Sequence, residues 1–486
     1  MKVDPPALSN ETSTPAEMPT TLSAMLADYV ACFRYDDIPA TVRDRAKHLI
    51  LDAVGVAIAS ASHAFAKQTL ASLNAIGERG NCSIIGLNEQ LPLRDAVLMN
   101  GMLVHGIDFD DTHLDGVVHP SASALPCALS LAEHLGLTGR ELLAAYVLGV
   151  EIVTRIGMSA GYGFHRYGFH PTGLLAHFSC SLQAGWLLEL GREQLTMAQG
   201  IVGSTAAASQ EFLADGAWNK RMHPGWAGAA GITAAYLARG GFVSTRQTYE
   251  GRFGLFKSHL HDDESQVQYG RMVAGLGEVW ELGNTSLKPY PICHFLHACA
   301  ESAIELTRRY RLKAEDIDRI RVLLPKEGLP VVAEPETAKL APATSYEAQF
   351  SAPFVVAASL LSGRFGLAEL RENLLSDPRV LALSRKVKCT ADPDSGFPTY
   401  YSGGVVITTT AGDELRHYVS INRGAGERAL TGSDIESKFM NNAEMLMRSE
   451  EALAIRDCIL ALEEHSAPEI ARTLSAAGVD QVPTRR

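Results

Sequence analysis

Three stretches, residues 172–190, 195–213 and 225–239, consist mostly of alanine, glycine, serine and aliphatic residues and carry very few charges. A helix that is apolar on nearly all sides has no face to offer water, so it belongs inside a large bundle, and small side chains let its neighbours approach closely. Such segments commit the chain to a big helical core. The periodicity ahead of them agrees: Met25, Leu26, Tyr29, Val30 and Phe33 recur at three- and four-residue steps, as do Val42, Ala46, Leu49, Ile50 and Val54. This predicts two amphipathic helices packed against that core. With 486 residues, 46% of them hydrophobic, the chain has material for two or three compact units.

Near Glu278 the texture changes. Residues 320–324, 386–390 and 405–410 are β-branched or aliphatic runs, and Ala411-Gly412-Asp413 turns the last of them into residues 415–421 as a hairpin. Helical runs at 300–309 and 354–361 lie among these strands. Strands that adjoin without a helix after each one predict an α+β unit with a mostly antiparallel sheet. After Gly432, Ser433-Asp434-Ile435-Glu436 reads as a capping-box start, and helices resume to about Glu463. The predicted fold is mainly α, a large all-helical domain with a smaller α+β lid. Its expected divisions are a disordered arm over 1–20, the helical domain over 21–275, the lid over 276–431, a helical return over 432–475 and a tail over 476–486.

Lys and Arg number 43 against 55 Asp and Glu, a formal net charge of −12, and no basic run exceeds two residues. A phosphate-neutralising nucleic-acid surface is therefore not expected. Nor is a membrane span, because even the apolar run over 142–153 is interrupted by Glu151. Eight cysteines are scattered without a C-x-x-C pair, which points to a reducing, cytoplasmic compartment.

Gly157-Met158-Ser159-Ala160-Gly161 matches the nucleophile-elbow pattern, yet a helical pattern precedes it and a glycine-aromatic loop follows, so a helix C-cap at Gly157 or Gly161 is the expectation. No phosphate-cradling or dinucleotide motif lies between a strand and a helix. What remains is histidine. Twelve of the sixteen fall between residues 105 and 297, most densely in His105-Gly106-Ile107-Asp108-Phe109-Asp110-Asp111-Thr112-His113, followed by His119-Pro120. Metal binding could use such residues, but the spacing fits no H-E-x-x-H or comparable site, and no metal is expected. Acid–base chemistry suits them better: an imidazole moves a proton near neutral pH and a carboxylate such as Asp108 or Asp111 orients it. Asp110, Asp111 and His113 are the candidates for purely structural roles, as helix caps or backbone ligands.

Two further clusters precede the buried helices. Phe169-His170-Pro171-Thr172 puts His170 at a helix N-terminus, which favours anions, and Asn219-Lys220-Arg221-Met222-His223-Pro224 brings three potential cations to another. Lys220 is either a carboxylate clamp or a solvated surface lysine, and the flanking Trp218, Met222 and Trp226 favour enclosure. Lys288-Pro289-Tyr290-Pro291-Ile292-Cys293-His294 joins the two expected domains, and hinge segments commonly line clefts. Cys293 could equally be a buried small apolar residue.

Taken together, Asp108 to Thr112, His119-Pro120, Phe169-His170-Pro171, Lys220 to His223, Glu250-Gly251-Arg252-Phe253-Gly254 and Lys288-Pro289-Tyr290-Pro291 resemble the MmgE/PrpD family, over about residues 22–462. That family includes 2-methylcitrate dehydratases, cis-aconitate decarboxylases and an iminodisuccinate epimerase. The resemblance implies a helical domain with an α+β lid, a homodimer, no cofactor, and a small anionic polycarboxylate as substrate. It matches Asp108, Thr112, His119, His170 and Lys220 to active-site positions of the decarboxylases. Where those enzymes have a histidine two residues after the proline, this chain has Cys293, with His294 one step displaced, and Lys326-Glu327-Gly328-Leu329 lacks their lid tyrosine. The expected activity is that of a cofactor-independent lyase, by decarboxylation or dehydration. Epimerisation of a dicarboxylate and non-catalytic carboxylate binding are the alternatives. His119, His170, Asp108 and Lys220 are the expected catalytic residues, with Thr112, His223, Lys288 and Cys293 on the substrate.

Overall fold

The computed structural model describes residues 20–475, so the expectations for the N-terminal arm, Thr20 apart, and for the C-terminal tail fall outside the described residues. The chain opens with α1 (Leu22–Cys32) and α2 (Ala40–Ala61); of their periodic positions Leu26, Val30, Phe33, Ala46, Leu49, Ile50 and Val54 are buried, Tyr29 and Val42 partly so, and Met25 is exposed. Then come α3 (Leu93–Val104), α4 (Ser121–Leu135), α5 (Gly139–Ala160), α6 (Pro171–Leu187), α7 (Arg192–Gly203) and α8 (Asn219–Arg239). Small residues set the spacing between them. A Cβ placed on Gly101 of α3 would lie 2.4 Å from the Cα of Gly225 in α8, and one on Gly231 of α8 would lie 2.7 Å from the Cβ of Cys180 in α6. The alanine- and glycine-rich composition is thus a packing requirement.

Two of the expected helices have different bounds. The helix predicted over 195–213 ends at Gly203, and the chain continues as an extended strap in which Ser209 bridges Phe169. Conversely, α8 starts at Asn219 and runs through Pro224, so Lys220, Arg221 and His223 occupy its first turns and do not precede it. Gly161 does cap α5, with φ of 53°, and Ser159 is buried with its hydroxyl bonded to the Ile156 carbonyl. By length and composition α5 could cross a membrane, contrary to the expectation from Glu151, but 94% of its apolar window is packed inside the protein. Glu151 is anchored there by the backbone N–H groups of Glu281 and Leu282 at 3.1 and 2.8 Å and by Arg155 at 3.4 Å.

The second unit is a four-stranded sheet with helices on it. Strands β1 (Ile317–Leu324), β2 (Val387–Ala391), β3 (Gly403–Thr409) and β4 (Glu414–Val419) are arranged in the order β2-β1-β3-β4. β1 runs antiparallel to β3, and β3 and β4 form the expected hairpin, whereas β1 and β2 are parallel with Ile320 opposite Val387. That parallel pair arises because the chain between them crosses over through α9 (Ala352–Ser362), among shorter helices. The core of this unit draws on Ile292, Leu296, Cys299, Val322, Phe354, Val355, Val405 and Ile407. From Leu430 onward the buried residues belong again to the helical core, through α10 (Gly432–Ala443) and the two helices after it. The cap of α10 is Thr431 paired with Asp434, two residues earlier than the Ser433 start read from the sequence.

Candidate active site

Where the helical core meets the lid, a narrow cleft is lined from both sides. Asp108, Thr112, His119, His170 and Lys220 come from the helical part, Lys288, Cys293 and His294 from the hinge, and Val331, Phe350 and Tyr401 from the lid. The loop after α3 supplies Asp108. Ile107 and Phe109 on either side of it are buried with Val56 and Ala59, and the Phe109 carbonyl accepts from the Lys438 ammonium at 2.8 Å. Pinning both neighbours leaves Asp108 at φ of 51°, a left-handed conformation that few non-glycine residues adopt and that is often found at functional sites.

Asp108 is clasped by two ammonium groups. Lys220 Nζ lies 2.5 Å from its Oδ1, and Lys288 Nζ lies 3.1 Å from the same oxygen and 3.0 Å from the Asp108 carbonyl. Burial pushes the Asp108 carboxyl up, but Lys220 and Lys288 outweigh it and hold the group well below the usual carboxylate range. Lys220 is buried and passes over the Phe350 ring at 5.1 Å, although the flanking Trp218 and Trp226, from which enclosure was expected, are themselves exposed. Two cations around one carboxylate leave one positive charge for an incoming anion.

The imidazoles form the opposite wall. His119 Nδ1 lies 2.7 Å from the Asp111 carbonyl, which can only accept, so the ring keeps its proton on Nδ1 and presents Nε2 as a base. Thr112 Oγ1 sits 3.2 Å from both His119 Nδ1 and His294 Nδ1, and Asn422 Nδ2 donates to His294 Nε2 at 2.8 Å. His170 caps the N-terminus of α6, with Nδ1 3.2 Å from His223 Nδ1. Burial, against the opposing pull of Asp110, takes His119 down to about 3, and burial with His223 beside it holds His170 well below the imidazole range. Both rings are neutral at pH 7.

Not every expected residue reaches the cleft. His223, expected on the substrate, stands behind His170, and burial lowers it to about 4, so it backs that ring and offers the substrate no charge. Cys293 and His294 both line the cleft, and the imidazole lies 3.2 Å from Thr112 Oγ1. Asp111 accepts from the Ser121 N–H and hydroxyl at 3.2 and 2.5 Å, and His113 meets Glu281 at 3.3 Å, so both hold structure. Asp110 instead binds His105 Nδ1 at 2.7 Å, close under the site. Sequence reading placed His105 at the head of the histidine-rich stretch without giving it a role, and gave none to Tyr162, Gln210, Phe212 and Tyr401, which lie on the cleft wall.

The nearest approach to a metal-ligand set among the described residues is His105, His119 and His170, with one nitrogen of each within 4.8 Å of the others. In all three rings Nδ1 already has a neighbour: Asp110 for His105, the Asp111 carbonyl for His119 and His223 for His170.

Comparison with known proteins identifies the family. The family profile of the MmgE/PrpD N-terminal domain matches residues 24–268 and that of the C-terminal domain matches residues 290–464. The chain belongs to the MmgE/PrpD family. Among its relatives are the cis-aconitate decarboxylase-like protein oryM of Aspergillus oryzae, 26% identical over 91% of this chain and 94% of that protein, and the cis-aconitate decarboxylase of Homo sapiens, 27% identical over 74% of each. A 2-methylcitrate dehydratase of Cupriavidus necator is 24% identical over 83% of this chain and 85% of its own length.

Proposed function

We propose that this MmgE/PrpD protein is a cofactor-independent lyase that generates and quenches a carbanion beside a carboxylate on a small di- or tricarboxylate. Decarboxylation of a cis-aconitate-like substrate is the first reading. Dehydration of a 2-methylcitrate-like one is the second, favoured by the dehydratase relative. The observation that carries the proposal is the convergence of Lys220, Lys288 and Asp108 with two neutral imidazoles, His119 and His170, in one cleft. Lys220 and Lys288 compensate substrate carboxylate charge and stabilise the enolate-like charge that builds when CO2 or a proton leaves. His119 Nε2 then transfers the proton, and Thr112 keeps that ring and His294 in register. We further propose that the enzyme works as a homodimer in the cytoplasm; the free state of all eight cysteines is compatible with that compartment.

The test is a substrate panel. Wild type, Lys220→Ala and His170→Ala are incubated with cis-aconitate, 2-methylcitrate and iminodisuccinate, following CO2, alkene absorbance and optical rotation. The expected result is turnover of one substrate by the wild type and a loss of about 100-fold or more in each variant. Turnover that is insensitive to both substitutions, or binding without turnover of any of the three, overturns the proposal.

A further inference from the structure

The three imidazoles at the base of the cleft sit at helix ends of opposite sign. His119 immediately precedes Pro120 at the N-terminus of α4, and His170 caps the N-terminus of α6. There the positive end of the helix dipole disfavours a protonated ring. His105 closes the C-terminus of α3, with its N–H bonded to the Gly101 carbonyl at 3.1 Å, and there the negative end favours one. The carboxylate is on the same side. Asp110 Oδ2 is 2.7 Å from His105 Nδ1 but 3.9 Å from His119 Nδ1, and the His105 and Asp110 side chains are both 0% exposed.

The surrounding charges act in the same direction. Lys220 and Lys288 add positive potential at His119, Lys220 does so at His170, and behind Asp110 the Lys438 ammonium is spent on Asp52 at 2.7 Å. His105 lies 5.0 Å from the His119 ring and stacks 5.4 Å from the His170 ring. Its Nε2 is buried without a protein partner, although the residue takes no part in the cleft wall.

Resting on the lyase reading above, we infer that the Asp110–His105 pair is the proton store of the site, a positioning pair that acts on the substrate only through His119. In decarboxylation the C–C bond to the departing CO2 breaks and its electron pair stays on the carbon. That carbon takes a proton from His119 Nε2, to which His105 passes its own Nε2 proton; one nitrogen of each ring lies within 4.8 Å of one on the other, a span that one water bridges. His105 ends neutral on Asp110, and solvent restores its proton before the next turnover.

Two measurements test this. In the wild type labelled with 15N-histidine, an NMR titration should show His105 taking up a proton at higher pH than His119 and His170; either of those rings protonating first overturns the inference. This arm needs no substrate, so it stands even if the panel above returns no activity. With whichever substrate is turned over, His105→Gln should lower kcat by about 100-fold or more while KM stays within about threefold. Asp110→Asn should move the alkaline limb of the kcat–pH profile, where the proton donor is lost, to lower pH. A purely structural role predicts instead altered KM and melting temperature with the limb unmoved, and that outcome overturns the inference.

Discussion

Asp108 is held by opposing demands, a left-handed backbone and two buried ammonium groups. Asparagine tolerates that conformation, so Asp108→Asn removes the charge and leaves the loop geometry intact. Lys288, 1% exposed, then keeps only the Asp108 carbonyl and an amide. Removing one partner of a buried pair costs roughly 3–5 kcal/mol, and the retained carbonyl bond puts the expected loss near the lower bound, about 3 kcal/mol in urea unfolding. A loss below about 1 kcal/mol would mean that water, and not the carboxylate, satisfies these lysines. Asp108, Thr112, His119, His170 and Lys220 were legible because each sits in a short polar motif at a helix end, where chemistry and local structure leave the same signature. His105 stands in the same stretch, but the role inferred for it depends on two rings, His119 and His170, that only the fold brings beside it. Cys293 and His294 could not be ranked from order alone, because adjacent residues in an irregular hinge can both reach a cleft, as these do.

Among the elements, the strap after α7 shows where periodicity misleads. Its alanines favour helix intrinsically, yet Ala208 O accepts from the His170 N–H at 2.8 Å, and Gln210 bonds the carbonyls of Gly168 and Phe169, each at 2.8 Å. This pairing is non-local, so no window of sequence reveals it, and it carries Gln210, Phe212 and Leu213 to the cleft. The helices themselves were legible because burial on all sides demands small apolar residues throughout. Gly173 in the first turn of α6 ties strap, helix and site together: a Cβ there would lie 2.5 Å from the His223 Cβ and 2.9 Å from the Ala208 Cβ. Gly173→Ala should therefore push α8 and the strap away from His170. Overpacking of this kind costs about 1–3 kcal/mol, and the displaced His170–His223 contact should lower kcat more than the drop in stability accounts for at 25 °C. Measuring kcat alongside urea unfolding separates the two effects; wild-type kcat with reduced stability would show that His223 does not position His170.

For the molecule as a whole, the same burial that keeps the site rings neutral sets the response to acid. Burial takes His119 and His297 to about 3, His165 and His223 to about 4, and His170 and His294 well below the imidazole range, against about 6.5 for a free ring. Between roughly pH 4 and 6.5 the unfolded chain binds a proton at each of these rings and the native protein does not, so stability rises with pH and is lost on acidification through that window. Asp111 opposes this. Burial raises it to about 7, so the native protein keeps a proton that the unfolded carboxyl releases above about 3.9, a contribution that is full at low pH and gone by about 7. Burial raises Asp52, Glu133 and Glu151 as well, but it also lowers His63, His177 and His259, so the lowered histidines outnumber the raised acids and the sign is unchanged. Urea unfolding at pH 7.5, 6.5 and 5.5 should therefore show falling stability, at about 1.4 kcal/mol per pH unit for each net proton taken up. Unfolding at pH 5.5 should consume several protons by potentiometry. A flat profile, or proton release on unfolding at that pH, would mean that the rings are already charged in the folded protein, and His119 could not then serve as the base.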